Sequence, residues 1–211
     1  MTRRGGAAAL LVVLAGFLTA CGSEADDPGQ PNEPGNGAFA VDVDVNTPQL
    51  RRIKKDAGVE PCRPGDAAAP ADGMPDLVLS CLGGGPDVNL SSLTGPLVVN
   101  LWAQWCGPCR EELPYYQQLH QAAGGKVQVI GIDYQDTQPG AALELLRDTG
   151  VTFPQLADPA GEARVPFEVR RGLPGVVFVD REGVITHIEY VVIGSYDELR
   201  DMVEEHLDIT L

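Results

Sequence analysis

The chain has 211 residues, with 15 Lys plus Arg against 30 Asp plus Glu and a formal charge of −15. Phosphate backbones are held by cations, so this acidity excludes nucleic acid as a partner and keeps the protein body off an anionic membrane surface. A hydrophobic content of 44% is enough for one domain of roughly 130–150 residues plus a leader and a linker; the excess of acid itself reads as solubility.

The first residues read as a targeting segment. Arg3 and Arg4 form a positive start, and Ala7 to Ala20 is an apolar stretch of 14 residues, short for a membrane span and right for a signal sequence. It ends in Leu18-Thr19-Ala20-Cys21 before a polar run, which resembles a bacterial lipobox cleaved before Cys21. A lipid on Cys21 would hold the chain at the membrane, each buried methylene contributing about 0.8 kcal/mol. The alternative is an ordinary secretory signal with an incidental cysteine. Residues 21–40, rich in Gly, Pro, Asn and acids, cannot bury enough apolar surface to fold and are expected to be a flexible linker. Residues 41–74 read as an N-terminal extension: Val41 to Val45 alternates with Asp and hints at a strand, Thr47-Pro48 opens a short helix through Ala57, and 63–74 is loop-like.

Residues 75–211 alternate strands and helices, which argues for an α/β domain with helices on the faces of a central sheet. Strands are expected at Leu77–Leu82, Leu97–Trp102, Lys126–Asp133, Gly175–Asp180 and Val184–Ile193, with Val88–Leu90 as a hairpin partner of the first. Leu97–Trp102 is almost continuously apolar and reads as a buried central strand. Helices are expected from the Cys106/Cys109 pair to about Ala123, at Ala141–Thr149 and at Tyr196–His206, and a short helical piece at Arg164–Arg171 is spoiled by Pro166.

The stretch Trp102-Ala103-Gln104-Trp105-Cys106-Gly107-Pro108-Cys109-Arg110-Glu111-Glu112-Leu113-Pro114 carries the chemistry. A Cys-x-x-Cys that follows a buried strand and opens a helix lets two sulfurs close a small ring at a helix N-terminus. Backbone N–H groups and the helix dipole there favour thiolate, the form that attacks a disulfide. Cys106, at the exposed end of the turn, is the expected nucleophile, and the better-shielded Cys109 is the resolving thiol. Pro108 suits the first helical turn and Pro114 should kink the helix. Trp105 is expected to shield the site and Trp102 to pack in the core. A zinc half-site is the competing reading, but Cys62, Cys81, His120, His187 and His206 are scattered along the chain and supply no second pair of ligands. The three histidines read as surface or packing residues, and Asp133 and Asp136 as solvated loop acids, with a place facing the site as the alternative. Cys62 and Cys81 remain, and an oxidising compartment makes a bridge between them plausible.

This motif resembles the TlpA-like branch of the thioredoxin superfamily, anchored extracytoplasmic thiol–disulfide oxidoreductases that include those keeping apocytochrome c thiols reduced. The resemblance covers about residues 75–211, and residues 50–82 look like an actinobacterial variant of its N-terminal extension. It implies a thioredoxin-like fold, protein thiols or disulfides as substrates, no organic cofactor, and a membrane electron-donor protein as partner. It also implies a cis-proline opposite the pair. Leu173-Pro174-Gly175 fits, with Leu173 offering backbone pairing to an extended substrate beside Trp105, Gly107 and Pro108. Many relatives have Thr where Gly175 stands, so a more open wall is expected there. The branch places an acid three positions after the second cysteine, and Glu112 matches as a proton shuttle for Cys109; the alternative is a solvated first-turn acid, as Glu111 is expected to be. Rival functions are a disulfide oxidase or isomerase of the same fold, a peroxiredoxin-like peroxidase, and an anchored binding module with an inert disulfide.

Overall fold

A computed structural model describes residues 42–68, 70–170 and 172–211. The leader, Cys21 and the linker to residue 40 lie outside the described residues. No helix among the described residues is long and apolar enough to cross a membrane.

The first element is helix α1, Pro48–Ala57, whose N-cap Thr47 accepts the Leu50 N–H at 3.2 Å through Oγ1. The strands are β1 (Val78–Cys81), β2 (Val88–Asn89), β3 (Leu97–Trp102), β4 (Gln128–Tyr134), β5 (Gln155–Asp158), β6 (Gly175–Val179) and β7 (Ile185–Glu189). Helices α2 (Gly107–Ala122), α3 (Pro139–Thr149) and α4 (Tyr196–Leu207) follow β3, β4 and β7. The seven strands form one mixed sheet in the order β2-β1-β5-β4-β3-β6-β7. β3 runs parallel to β4, and β4 to β5, while β6 and β7 are antiparallel additions.

Every residue of β3 is buried, as its unbroken apolar pattern requires of a strand covered on both faces. One polar pair in this core is matched closely. Gln155 on β5 accepts the Trp102 indole N–H at 2.9 Å. Gly131 on β4 makes room for it: a Cβ there would collide with the Gln155 amide. Trp102 is therefore the packing residue the sequence suggested, with a hydrogen bond attached.

Four expectations need correction. Residues 42–47 form no strand. The alternation instead records one-sided burial, with Val45 in the core and its carbonyl accepting the Gly83 N–H at 2.9 Å. β5 was not anticipated: it is four residues long, begins with Gln and ends with Asp, and these polar ends are satisfied by Trp102 on β3 and by the N–H groups of the turn that follows. The helical piece lies earlier, as a 3-10 turn over Glu162–Arg164, because Asp158 caps it by accepting the N–H groups of Glu162 and Ala163 at 2.8 and 2.9 Å. β7 stops at Glu189 rather than Ile193, since the chain leaves the ladder there to turn Tyr190 and Ile193 toward other partners.

Candidate active site

Cys106 and Cys109 are joined as a disulfide at the N-terminus of α2, with Cα atoms 5.3 Å apart. β3 delivers the chain to this point and Cys106 is the helix N-cap, its Sγ accepting the Cys109 N–H at 3.3 Å. A sulfur in that position faces the orphan N–H groups and positive end of the helix dipole, which stabilise negative charge. The two sulfurs are unequally sheltered: Cys106 keeps 5% of its surface exposed and Cys109 1%. Gly107 and Pro108 between them are exposed. Nothing lies within 4 Å of a Cβ built on Gly107, so the front of the pair is open.

Trp105 is 53% exposed beside Cys106 and donates its indole N–H to the Gln135 carbonyl at 3.2 Å. It lies at the surface and is not part of the core. Asp133 and Asp136 are both buried, so the reading as solvated loop acids is corrected. Asp136 braces the active-site loop, accepting the Gln104 N–H at 3.0 Å and the Gln138 N–H at 2.8 Å. Asp133 has one carboxylate oxygen without a partner, and burial together with Asp136 raises its pKa well above the usual carboxylate range. The sequence clue to Asp136 was its place just after a strand end; its burial depends on the β4–α3 loop folding over Gln104.

Glu111 is exposed and Glu112 is buried. Successive helical residues point about 100° apart, so Glu111 turns to solvent while Glu112 shares its face with Cys109, three residues earlier. One Glu112 oxygen accepts the Ile193 N–H at 2.6 Å and the other has no partner. Burial raises its pKa to about 7, against the lowering effect of the Ile193 hydrogen bond and with a smaller push from Glu198.

The Leu173–Pro174 peptide is cis, and Pro174 is buried at the start of β6. The wall after it is not open as expected at Gly175. A Cβ there would lie 2.5 Å from Tyr190 Cε1, so the tyrosine ring occupies the space, and its hydroxyl donates to the Phe167 carbonyl at 2.7 Å. Away from this site, Cys62 and Cys81 are joined as a second disulfide. The buried Lys54 sits 2.9 Å from Cys81 Sγ and donates to the Gly84 carbonyl at 2.9 Å, its pKa lowered by burial to about 8. His187 and His206, far apart in sequence, stack with ring centroids 4.0 Å apart. A cavity of about 310 Å³ includes Cys62, His120 and Leu156 in its lining and no residue of the Cys106–Cys109 turn.

Residues 70–188 match the sequence model of the AhpC/TSA family. The chain is 34% identical over 125 residues to the thiol:disulfide interchange protein DsbE of Allochromatium vinosum, an alignment covering 58% of this chain and 64% of that protein. A DsbE homolog of Paracoccus denitrificans is 37% identical over 94 residues, covering 44% and 49%. The thiol-disulfide oxidoreductase ResA of Oceanobacillus iheyensis is 30% identical over 122 residues, covering 56% and 62%. The chain thus spans about half to just under two thirds of the length of these relatives. Among solved structures, MTB dsbF in mixed oxidized and reduced forms is 31% identical with a TM-score of 0.57, covering 65% of this chain and 98% of that one. A secreted Mycobacterium tuberculosis disulfide oxidoreductase homologous to E. coli DsbE is 25% identical with a TM-score of 0.54, covering 62% and 96%. The mixed sheet with its flanking helices is a thioredoxin-like fold, as the motif implied.

Proposed function

This chain belongs to the AhpC/TSA family, whose sequence model spans more than half of its residues, and from that premise we propose that it is an extracytoplasmic thiol–disulfide oxidoreductase that reduces disulfides in other proteins. The observation that carries this reading is the Cys106–Cys109 disulfide at a helix N-terminus, with Cys106 the more exposed sulfur and a buried acid on the helix face of Cys109. The names of the relatives, thiol:disulfide interchange proteins and thiol–disulfide oxidoreductases, support the reaction class.

The reaction begins from the dithiol. Cys106 thiolate attacks one sulfur of a substrate disulfide, breaking that bond, and the departing substrate sulfur takes up a proton. Glu112 accepts the Cys109 proton, and Cys109 thiolate attacks the Cys106 sulfur of the mixed disulfide. The second substrate thiol leaves, the substrate has gained two electrons, and the pair is left as the disulfide seen here. No organic cofactor takes part. A dithiol electron-donor protein in the membrane restores the reduced pair. Leu173, ahead of the cis-proline, offers backbone pairing to an extended polypeptide, with Trp105, Gly107, Pro108 and Pro174 framing the approach. Apocytochrome c thiols are the substrate class that the TlpA-like resemblance adds. Cys21 carries the lipid that holds the domain at the membrane, a reading supported by the lipobox-like sequence before it.

The reduction potential of the Cys106–Cys109 couple tests the direction. A value near that of thioredoxin, about −270 mV, is the expected result. A value near about −120 mV, that of a strong oxidant, would overturn the reductase reading in favour of a disulfide oxidase of the same fold.

A further inference from the structure

His187 and Glu189 are two residues apart on β7, so they point to the same face of the sheet. His206 reaches that face from the last turn of α4. One donor atom from each lies within 4.8 Å of the others. Glu189 Oε2 stands 3.5 Å from His187 Nε2. The two imidazoles stack at 15° with centroids 4.0 Å apart. Both rings also lie against the buried ring of Phe178, at 6.3 and 4.9 Å, which gives the cluster an apolar floor. All three side chains are partly exposed.

We propose that His187, Glu189 and His206 form a binding site for a divalent transition-metal ion of borderline softness, zinc being the test case, with a fourth position open to water or a ligand. Two imidazoles and one carboxylate are a donor set that zinc accepts with tetrahedral geometry. Chelation needs one imidazole to turn so that its lone pair joins the other two donors, and the broad terminal torsion of histidine allows this at a half-exposed position. Charge favours a cation here. The last turn of α4 presents its negative dipole end, and the Glu189 carboxylate stands beside the His187 ring.

The site is separate from the cysteine pair. His187 pairs across β6 with Phe178, and Phe178 with Val98 near the start of β3. Trp102 ends β3 four residues further along, about 13 Å at the rise of a strand, and the redox turn lies beyond it. A bound ion would join the edge strand β7 to α4.

Zinc titration of the full chain by calorimetry, with Cys106 and Cys109 held as the disulfide so that no thiolate competes, tests this. A single saturable equivalent is expected. His187→Ala and His206→Ala should each weaken it by roughly tenfold or more, while His120→Ala, which sits against Glu60 elsewhere, leaves it unchanged. Glu189→Gln keeps the side-chain shape and should weaken binding with unaltered folding. In NMR spectra of the parent, zinc should shift the His187 and His206 ring signals together and leave those of His120 in place. No saturable binding, or equal binding by parent, His187→Ala and His206→Ala, would overturn the proposal. Neither outcome bears on thiol–disulfide exchange, which is measured on the cysteine pair.

Discussion

Glu112 accepts the backbone N–H of Ile193 at 2.6 Å while its second oxygen lies buried without a partner. A segment that leaves the sheet after β7 thus holds a carboxyl group on the Cys109 face of α2, and burial lifts its pKa to about 7. That value suits a group that takes and returns a proton near neutrality. Glu112→Gln keeps an acceptor for Ile193 and removes the titration. The resolving step should slow by about 10²-fold near pH 7, and its pH profile should lose the inflection near 7; stopped-flow exchange kinetics checks both.

The same group makes a stability prediction with a definite sign. The folded state keeps the Glu112 proton over the range from about 4.5 to about 7 in which the unfolded chain releases it. The folded form then binds more protons, so this contribution to stability falls as pH rises through that window. Glu112→Gln should therefore gain stability relative to the parent at pH 8 compared with pH 4. Urea unfolding of both proteins at the two pH values measures it, and an equal difference at both would contradict the assignment.

Gly175 carries the Tyr190 ring where a side chain would stand. Gly175→Ala forces that ring away and should cost about 1–3 kcal/mol of stability as an overpacked site. Tyr190→Ala in the same chain should recover part of the loss attributable to the clash, a coupling that a double-mutant cycle reads directly.

The Cys62–Cys81 bridge closes a loop with a sequence separation of 19 and ties the N-terminal extension to β1. Replacing both cysteines by Ala should lower stability by about 3 kcal/mol through the unfolded chain's regained freedom. Unfolding in urea under non-reducing conditions tests this, and an unchanged midpoint would remove the bridge from the account.

The legible parts of the fold were those whose signal is local. β3 showed itself by an unbroken apolar run, α1 by Thr47-Pro48, and α3 by the Gly150 that ends it in the left-handed region at φ 72°. β5 escaped because Gln155 and Asp158 look like loop residues until Trp102 and the Glu162–Ala163 turn supply their partners. In the site, the cysteine pair and Pro174 lay within recognisable sequence patterns. Asp136 offered only its place after a strand end, and Tyr190 and, outside the site, the stacking of His187 on His206 offered no local signal, because each depends on contacts between segments far apart in the chain. Gly175 shows the limit clearly: a missing side chain reads as open space in sequence, and the fold fills that space from 15 residues away.

The measurement closest to the central claim is covalent trapping. The Cys109→Ser variant, incubated with a protein disulfide substrate and resolved without reductant, should accumulate a mixed disulfide through Cys106. The Cys106→Ser variant should accumulate none. A Cys109→Ser protein that forms no adduct, or adducts of equal yield from both variants, would contradict the assignment of Cys106 as nucleophile and Cys109 as resolving thiol.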